Sequence, residues 1–129
     1  MSFLLDVNAL VAGVYEDHEH HFAMRSWLKD NKSEKLTIAP LVATGCLRVL
    51  MTISGERKPT SLVSAIRSFR DFYNIQTIGD DIELERLGKW IGGAKQVTDA
   101  HLLAIAKKNG LKLVTFDKKI PRKGALHLV

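Results

Sequence analysis

The chain holds one cysteine, Cys46, in 129 residues, so no internal disulfide can form. A reducing cytoplasm is the natural compartment for such a protein. Long apolar runs are also missing. None approaches the roughly 20 residues that a membrane-spanning helix needs, and no membrane partner is expected. The first residues show neither the basic start nor the small-residue cleavage site of a secretory leader, because their apolar run stops at Asp6. No repeat, low-complexity tract or linker divides the chain. One cytoplasmic domain spanning 1–129 is expected, long enough to bury a core without staples.

What remains is ordinary in bulk and uneven in charge. The chain is 46% hydrophobic and 26% charged, as globular proteins usually are, with a formal net charge of +5. That surplus suits nucleic acid or an acidic protein partner, although a merely basic surface gives the same total. Lys107, Lys108, Lys112, Lys118, Lys119, Arg122 and Lys123 crowd the last quarter, close to Asp117. A carboxylate within a basic field fits a site that handles phosphate.

Strand and helix patterns alternate. Residues 2–6 read as a buried strand and 8–14 as a short helix with Asn8 at its N-cap. Residues 18–30 form an amphipathic pattern around Phe22, Trp27 and Leu28. The stretch 35–40 is a strand ended by Pro40, which suits the first turn of a helix running to about Ile53. A loop through Gly55 and Pro59 leads to a helix over 60–73, capped by Thr60 or Ser61, and then to a strand over 74–79. The spacing predicts a helix over 81–94, stopped by Gly92 and Gly93, and another over 98–110, opened by Thr98 and Asp99 and closed by Gly110. The run 111–116 is a strand that ends on Asp117, and 125–129 a short fifth one. Such alternation indicates an α/β domain with a mostly parallel sheet, whose functional groups gather beyond the carboxyl ends of the strands.

Three acids occupy such positions. Asp6 and Asp117 each follow a strand, and Asp99 begins a helix. Singly, each is explained as a cap or as an answer to a helix dipole. Jointly, they can meet at one edge, where like charges repel unless a cation lies between them. Carboxylate, phosphate and water oxygens are what Mg²⁺ prefers, and such ions assist phosphodiester cleavage.

The stretches "FLLDVNALVA", "APLVATGCLRVL" and "VTDAHLLAIAKKNGLKLVTFDKKI" resemble the PIN-domain ribonucleases, specifically VapC-type toxins of bacterial toxin–antitoxin pairs. The resemblance covers essentially the whole chain. It implies a three-layer α/β/α sandwich with a mostly parallel sheet of about five strands. It implies an endoribonuclease dependent on Mg²⁺ or Mn²⁺, acting on structured RNA of the tRNA or rRNA class, restrained by a cognate antitoxin and homodimeric. On this resemblance Asp6, Asp99 and Asp117 are the catalytic and metal-binding acids, Asn8 supports Asp6, and Thr115 is the small hydroxyl residue beside the last acid. One position departs from the family pattern. Where a glutamate usually precedes "-x-G-x-L-R-V-L", this chain has Ala43, which offers no metal-binding oxygen and no base. Glu16, Asp17 and Asp81 have no sequence argument to replace it. Arg48, Lys118 and Lys119 are candidate substrate contacts, with a surface role as the plainer explanation for Arg48.

Other features suggest less. "DHEHH" at 17–21 offers His18 and His21 but no second pair to complete a zinc site. His21 is expected near the site entrance by resemblance. Cys46 lies in an apolar helix without an acidifying neighbour and reads as core. Trp27, Phe69, Phe72, Tyr73 and Trp90 read as core or dimer packing rather than base-stacking groups. A catalytically silent protein that keeps RNA and antitoxin binding is the alternative function, on account of Ala43. A phosphatase of haloacid-dehalogenase kind would need a second acid where Asn8 stands, and a phospho-receiver would need paired acids after its first strand.

Overall fold

The structure, a computed structural model, describes residues 1–128; Val129, expected in the last strand, lies outside them. Phe3, Leu4 and Leu5 show no polar alternation, and such a strand has to be covered on both faces. It becomes β1 (Ser2–Leu5), flanked in parallel by β2 (Lys35–Ile38) and β4 (Lys112–Thr115). Phe3, Leu4 and Leu5 are all buried, as are Leu113, Val114 and Thr115 of β4, so helices cover the sheet on both sides. With β3 (Gln76–Thr77) and β5 (Ala125–His127) the order is β3-β2-β1-β4-β5, parallel throughout. This is the expected α/β sandwich. The chain winds one way from β1 to β3 and the other way through β4 and β5, so the topological switch point lies between β1 and β4.

The helices are α1 (Val7–Val14), α2 (His21–Asp30), α3 (Pro40–Ser54), α4 (Thr60–Phe72) and α5 (Val97–Lys108). Five consecutive residues of α1, from Ala9 to Gly13, are buried, which makes it the packing centre for α2, α3 and α4. Its last turn touches α4 closely: a Cβ on Gly13 would stand 2.6 Å from Cζ of Phe69. Gly13→Ala is therefore expected to destabilise the fold by about 1–3 kcal/mol through overpacking, although alanine is the better helix former. A urea titration should show a lower midpoint with unchanged slope. A higher midpoint would mean that Phe69 yields freely. At the end of α5, Gly110 (φ +66) lets the Leu111 N–H reach the Ala106 carbonyl at 2.8 Å, closing the helix where expected.

Several expectations need correction. Residues 81–94 do not form a helix but a loop with short 3₁₀ turns at Leu84–Arg86 and Ala94–Gln96. The apolar spacing is present, but Gly88 interrupts it, and each helical glycine costs about 1 kcal/mol. The strand over 74–79 shrinks to Gln76–Thr77, in register with Thr37 and Ile38 of β2, with one further bond from the Ile78 N–H to the Ile38 carbonyl (2.9 Å). The second helix begins at His21 rather than 18. Neither Thr60 nor Ser61 caps α4; Pro59 stands there without a side-chain bond. Asp6, not Asn8, caps α1. The last helix starts at Val97, with Asp99 in its first turn. Phe72 is no core residue, being 68% exposed, and Trp90 is absent from the residues packed against the core.

Candidate active site

The switch point receives an acid from each side. The Asp6 N–H continues the sheet by donating to the Val114 carbonyl (3.0 Å), after which the chain turns into α1. The Asp6 side chain is 2% exposed. Its Oδ1 accepts the Val7 N–H (2.7 Å) and its Oδ2 accepts the Thr115 hydroxyl (2.7 Å). The Thr115 oxygen in turn accepts the Asp117 N–H (2.9 Å), and Asp117 Oδ1 accepts the Lys119 N–H (2.9 Å). One hydroxyl thus links the ends of β1 and β4, joining residues 109 apart in sequence.

Asp99 approaches from the first turn of α5 and is half-buried. Burial pushes its carboxyl up to about 6, with further upward pressure from Asp6 and Asp117. Burial likewise raises Asp6, opposed by the Thr115 and Val7 hydrogen bonds and reinforced by Asp117. Three carboxylates at one edge therefore resist being ionised together. Hard oxygen donors in such a set suit Mg²⁺ or Mn²⁺. In donor chemistry the residues fit an ion. They do not form a ready-made cage, since among the described residues no three acidic, histidine or cysteine side chains cluster closely enough to hold one.

The remaining candidates lie variously. Ala43 is in the first turn of α3, at the same edge of the sheet, half-buried beside Ile66, Arg67 and Arg70 of α4. Asn8 is exposed in the first turn of α1, with no side-chain hydrogen bond among the described residues. Arg48, Lys118 and Lys119 are exposed, as are Glu16, Asp17 and Asp81. His21 does not turn toward the acids; its Nδ1 pairs with the Ala12 carbonyl (2.7 Å). His20 is the histidine nearer the edge, stacked on Phe116 at 4.4 Å between ring centroids. Nothing in the spacing of "DHEHH" distinguishes those two. Cys46 is buried and its thiol is pushed up to about 12, so it is inert core.

The PIN domain profile matches residues 3–126. The chain belongs to the PIN-domain family. Within that family its relatives are of VapC type. Ribonuclease VapC38 of Mycobacterium tuberculosis is 36% identical over 124 residues, covering 88% of this chain and 84% of its own. Ribonuclease VapC44 of the same species is 32% identical, covering 93% and 89%. Ribonuclease VapC39 is 28% identical and spans 100% of this chain and 98% of its own. The matched region of this PIN domain contains all three acids and Ala43. No helix in the described residues is long and apolar enough to cross a membrane.

Proposed function

We propose that this VapC-type PIN domain is an endoribonuclease toxin that cuts structured RNA of the tRNA or rRNA class with Mg²⁺ or Mn²⁺. The observation that carries the reading is the meeting of Asp6, Asp99 and Asp117 at the switch point, in a chain whose relatives are named ribonucleases. Those three carboxylates would hold the ion. When bound, it supplies charge neutralisation at the phosphate and lowers the pKa of water. The chain's own contribution is positional. Thr115 fixes the rotamer of Asp6 and, through the Asp117 N–H, the spacing between the two strand-end acids. The Val7 N–H, at the positive end of α1, helps keep Asp6 ionised against its burial. Asn8, exposed in the first turn of α1, and the exposed basic side chains Arg48, Lys118 and Lys119 would meet the phosphate backbone.

A cytoplasmic homodimer restrained by a cognate antitoxin completes the proposal, and a net charge of +5 suits an acidic partner as well as RNA. Co-purification with the product of a neighbouring gene, together with sedimentation analysis, tests that part. The test of the activity is cleavage of purified tRNA and rRNA. We expect cutting with Mn²⁺ or Mg²⁺, none with EDTA, and a loss of at least about a hundredfold in Asp117→Asn, the scale set by positioned acid–base groups. Equal cutting with and without chelator would overturn it. Ala43 supports a second reading, in which the chain binds RNA and antitoxin but does not cut.

A further inference from the structure

Along α5, beyond Asp99, lies a cleft of 440 Å³ that the three acids do not use. It is lined by Ala100, Leu103 and Ala104 of α5, by Gly88 and Trp90 of the loop before that helix, and by Gly124 of the turn after β4. Asp99, Leu103 and Lys107 are spaced four residues apart, so they form one row on α5. The cleft therefore leads from the turn that carries Asp99 to a lysine about 12 Å away along the helix axis. The turn after β4 joins it to the same site, since Asp117 lies near the start of the segment that ends at Gly124.

Trp90 is the telling residue. Its side chain is half-buried yet outside the core. The indole lies directly over Gly88, where a Cβ would overlap its Cδ1 and Nε1. A ring held by a glycine-dependent turn against a cleft, without a core to join, has a surface left for a ligand. The charged groups around that surface are of one sign. Arg86, Lys107 and Lys123 line the cleft, no acidic residue does, and among the described residues none of the three has an ion-pair partner. An aromatic face with surrounding cations matches a base with its phosphates. Its continuity with the acid edge favours a polynucleotide over a peptide, because one strand can reach both.

We propose that this cleft seats a nucleotide of the RNA flanking the cleaved phosphodiester, its base against Trp90 and its phosphates against Lys107 and Lys123. The proposal rests on the ribonuclease reading for the identity of the polymer. Binding of oligoadenylate in EDTA, followed by tryptophan fluorescence, tests it without requiring cleavage. The wild-type protein should be quenched. Trp90→Leu should lose the quench and bind about tenfold more weakly, while Trp90→Phe should retain most of the affinity. Gly88→Ala, which displaces the indole without removing it, should also weaken binding. The double change Lys107→Ala with Lys123→Ala should reduce the slope of log K against log salt by about 1.4.

Quenching that survives in Trp90→Leu would come from Trp27 and would overturn the proposal. So would wild-type affinity and KM in that variant, even with RNA still cut, which leaves the ribonuclease reading standing. A cleft that takes a protein segment instead would leave Trp90 unquenched by oligoadenylate, again overturning it. Trp90-dependent binding without cleavage by any form of the chain would support the cleft and count against the ribonuclease reading.

Discussion

Ala43→Glu is expected to raise the rate of RNA cleavage about a hundredfold or more, the usual return on one positioned acid–base group. Several features of the site favour it. The first turn of α3 contains no acidic residue, and its N-cap, Ala39, makes no side-chain bond, so the positive end of that helix is unanswered and would stabilise a carboxylate. There is room as well: Ala43 borders a hollow of 180 Å³ between α3 and α4. Arg67 and Arg70 line that hollow, and Nε of Arg70 is buried without a hydrogen-bond partner. Those arginines create the competing outcome. A carboxylate at 43 that turns toward Arg70 satisfies an orphaned donor and stabilises the fold, but leaves the acid edge as it was. Cleavage rates and melting temperature together separate the two. Faster cleavage that requires Mg²⁺ or Mn²⁺ marks a silenced nuclease. A higher melting temperature with unchanged cleavage marks capture by Arg70 and sinks the prediction. If neither form cuts any RNA, the binding-only reading gains.

The parts of this molecule that could be read in the sequence are those where a local pattern has a single physical solution. A short apolar run that stops at an acid, twice, reads as two buried strands, and the parallel pairing of β1 with β4 then delivers Asp6 and Asp117 to one edge. Gly110 after a helical repeat is a similar case. The failures arise where the outcome depends on distant partners. The stretch 81–94 has helical spacing, but spacing records which side chains are apolar and not whether a surface exists to cover them. There the loop is secured from α5, where His101 reaches the Asp80 carbonyl (2.7 Å) and Lys108 reaches that of Asp81 (3.1 Å). The misplaced caps have the same origin. Asp6 and Asn8 are both good capping residues, and the choice falls to Asp6 because the sheet holds its backbone at Val114 while Thr115 holds its other oxygen. That hydroxyl bridge between strands from opposite ends of the chain has no local signature. The role of Trp90 was hidden likewise, since an indole in an amphipathic pattern looks like core until the helix is gone.

Asp99→Asn should abolish metal-dependent cleavage and, in metal-free buffer above pH 6, make the protein more stable. The sign follows from the direction of the shift. The carboxyl sits near 6 in the folded chain and near its ordinary 3.8 when unfolded, so between those values the folded state binds the proton more tightly. Stability from this group is then greatest below about pH 3.8, falls as pH rises toward 6, and stays low above that. Asparagine is neutral throughout and escapes the loss. Asp99 is only half-buried, so solvent screening trims the gain to about 1 kcal/mol, or a rise in melting temperature of about 4 °C for a chain of this size. The difference should vanish near pH 4. Added Mg²⁺ or Mn²⁺ should reverse the order, because an ion bound to the folded state alone stabilises it by mass action, and the variant lacks one of the three carboxylates proposed to hold it. Melting curves of both proteins at pH 4 and pH 8, with EDTA and then with the cation, contain the whole test. A variant that melts below the wild-type protein at pH 8 in EDTA would show that Asp99 supports the fold rather than straining it. Repulsion among the three acids would then not be a strain that a cation relieves.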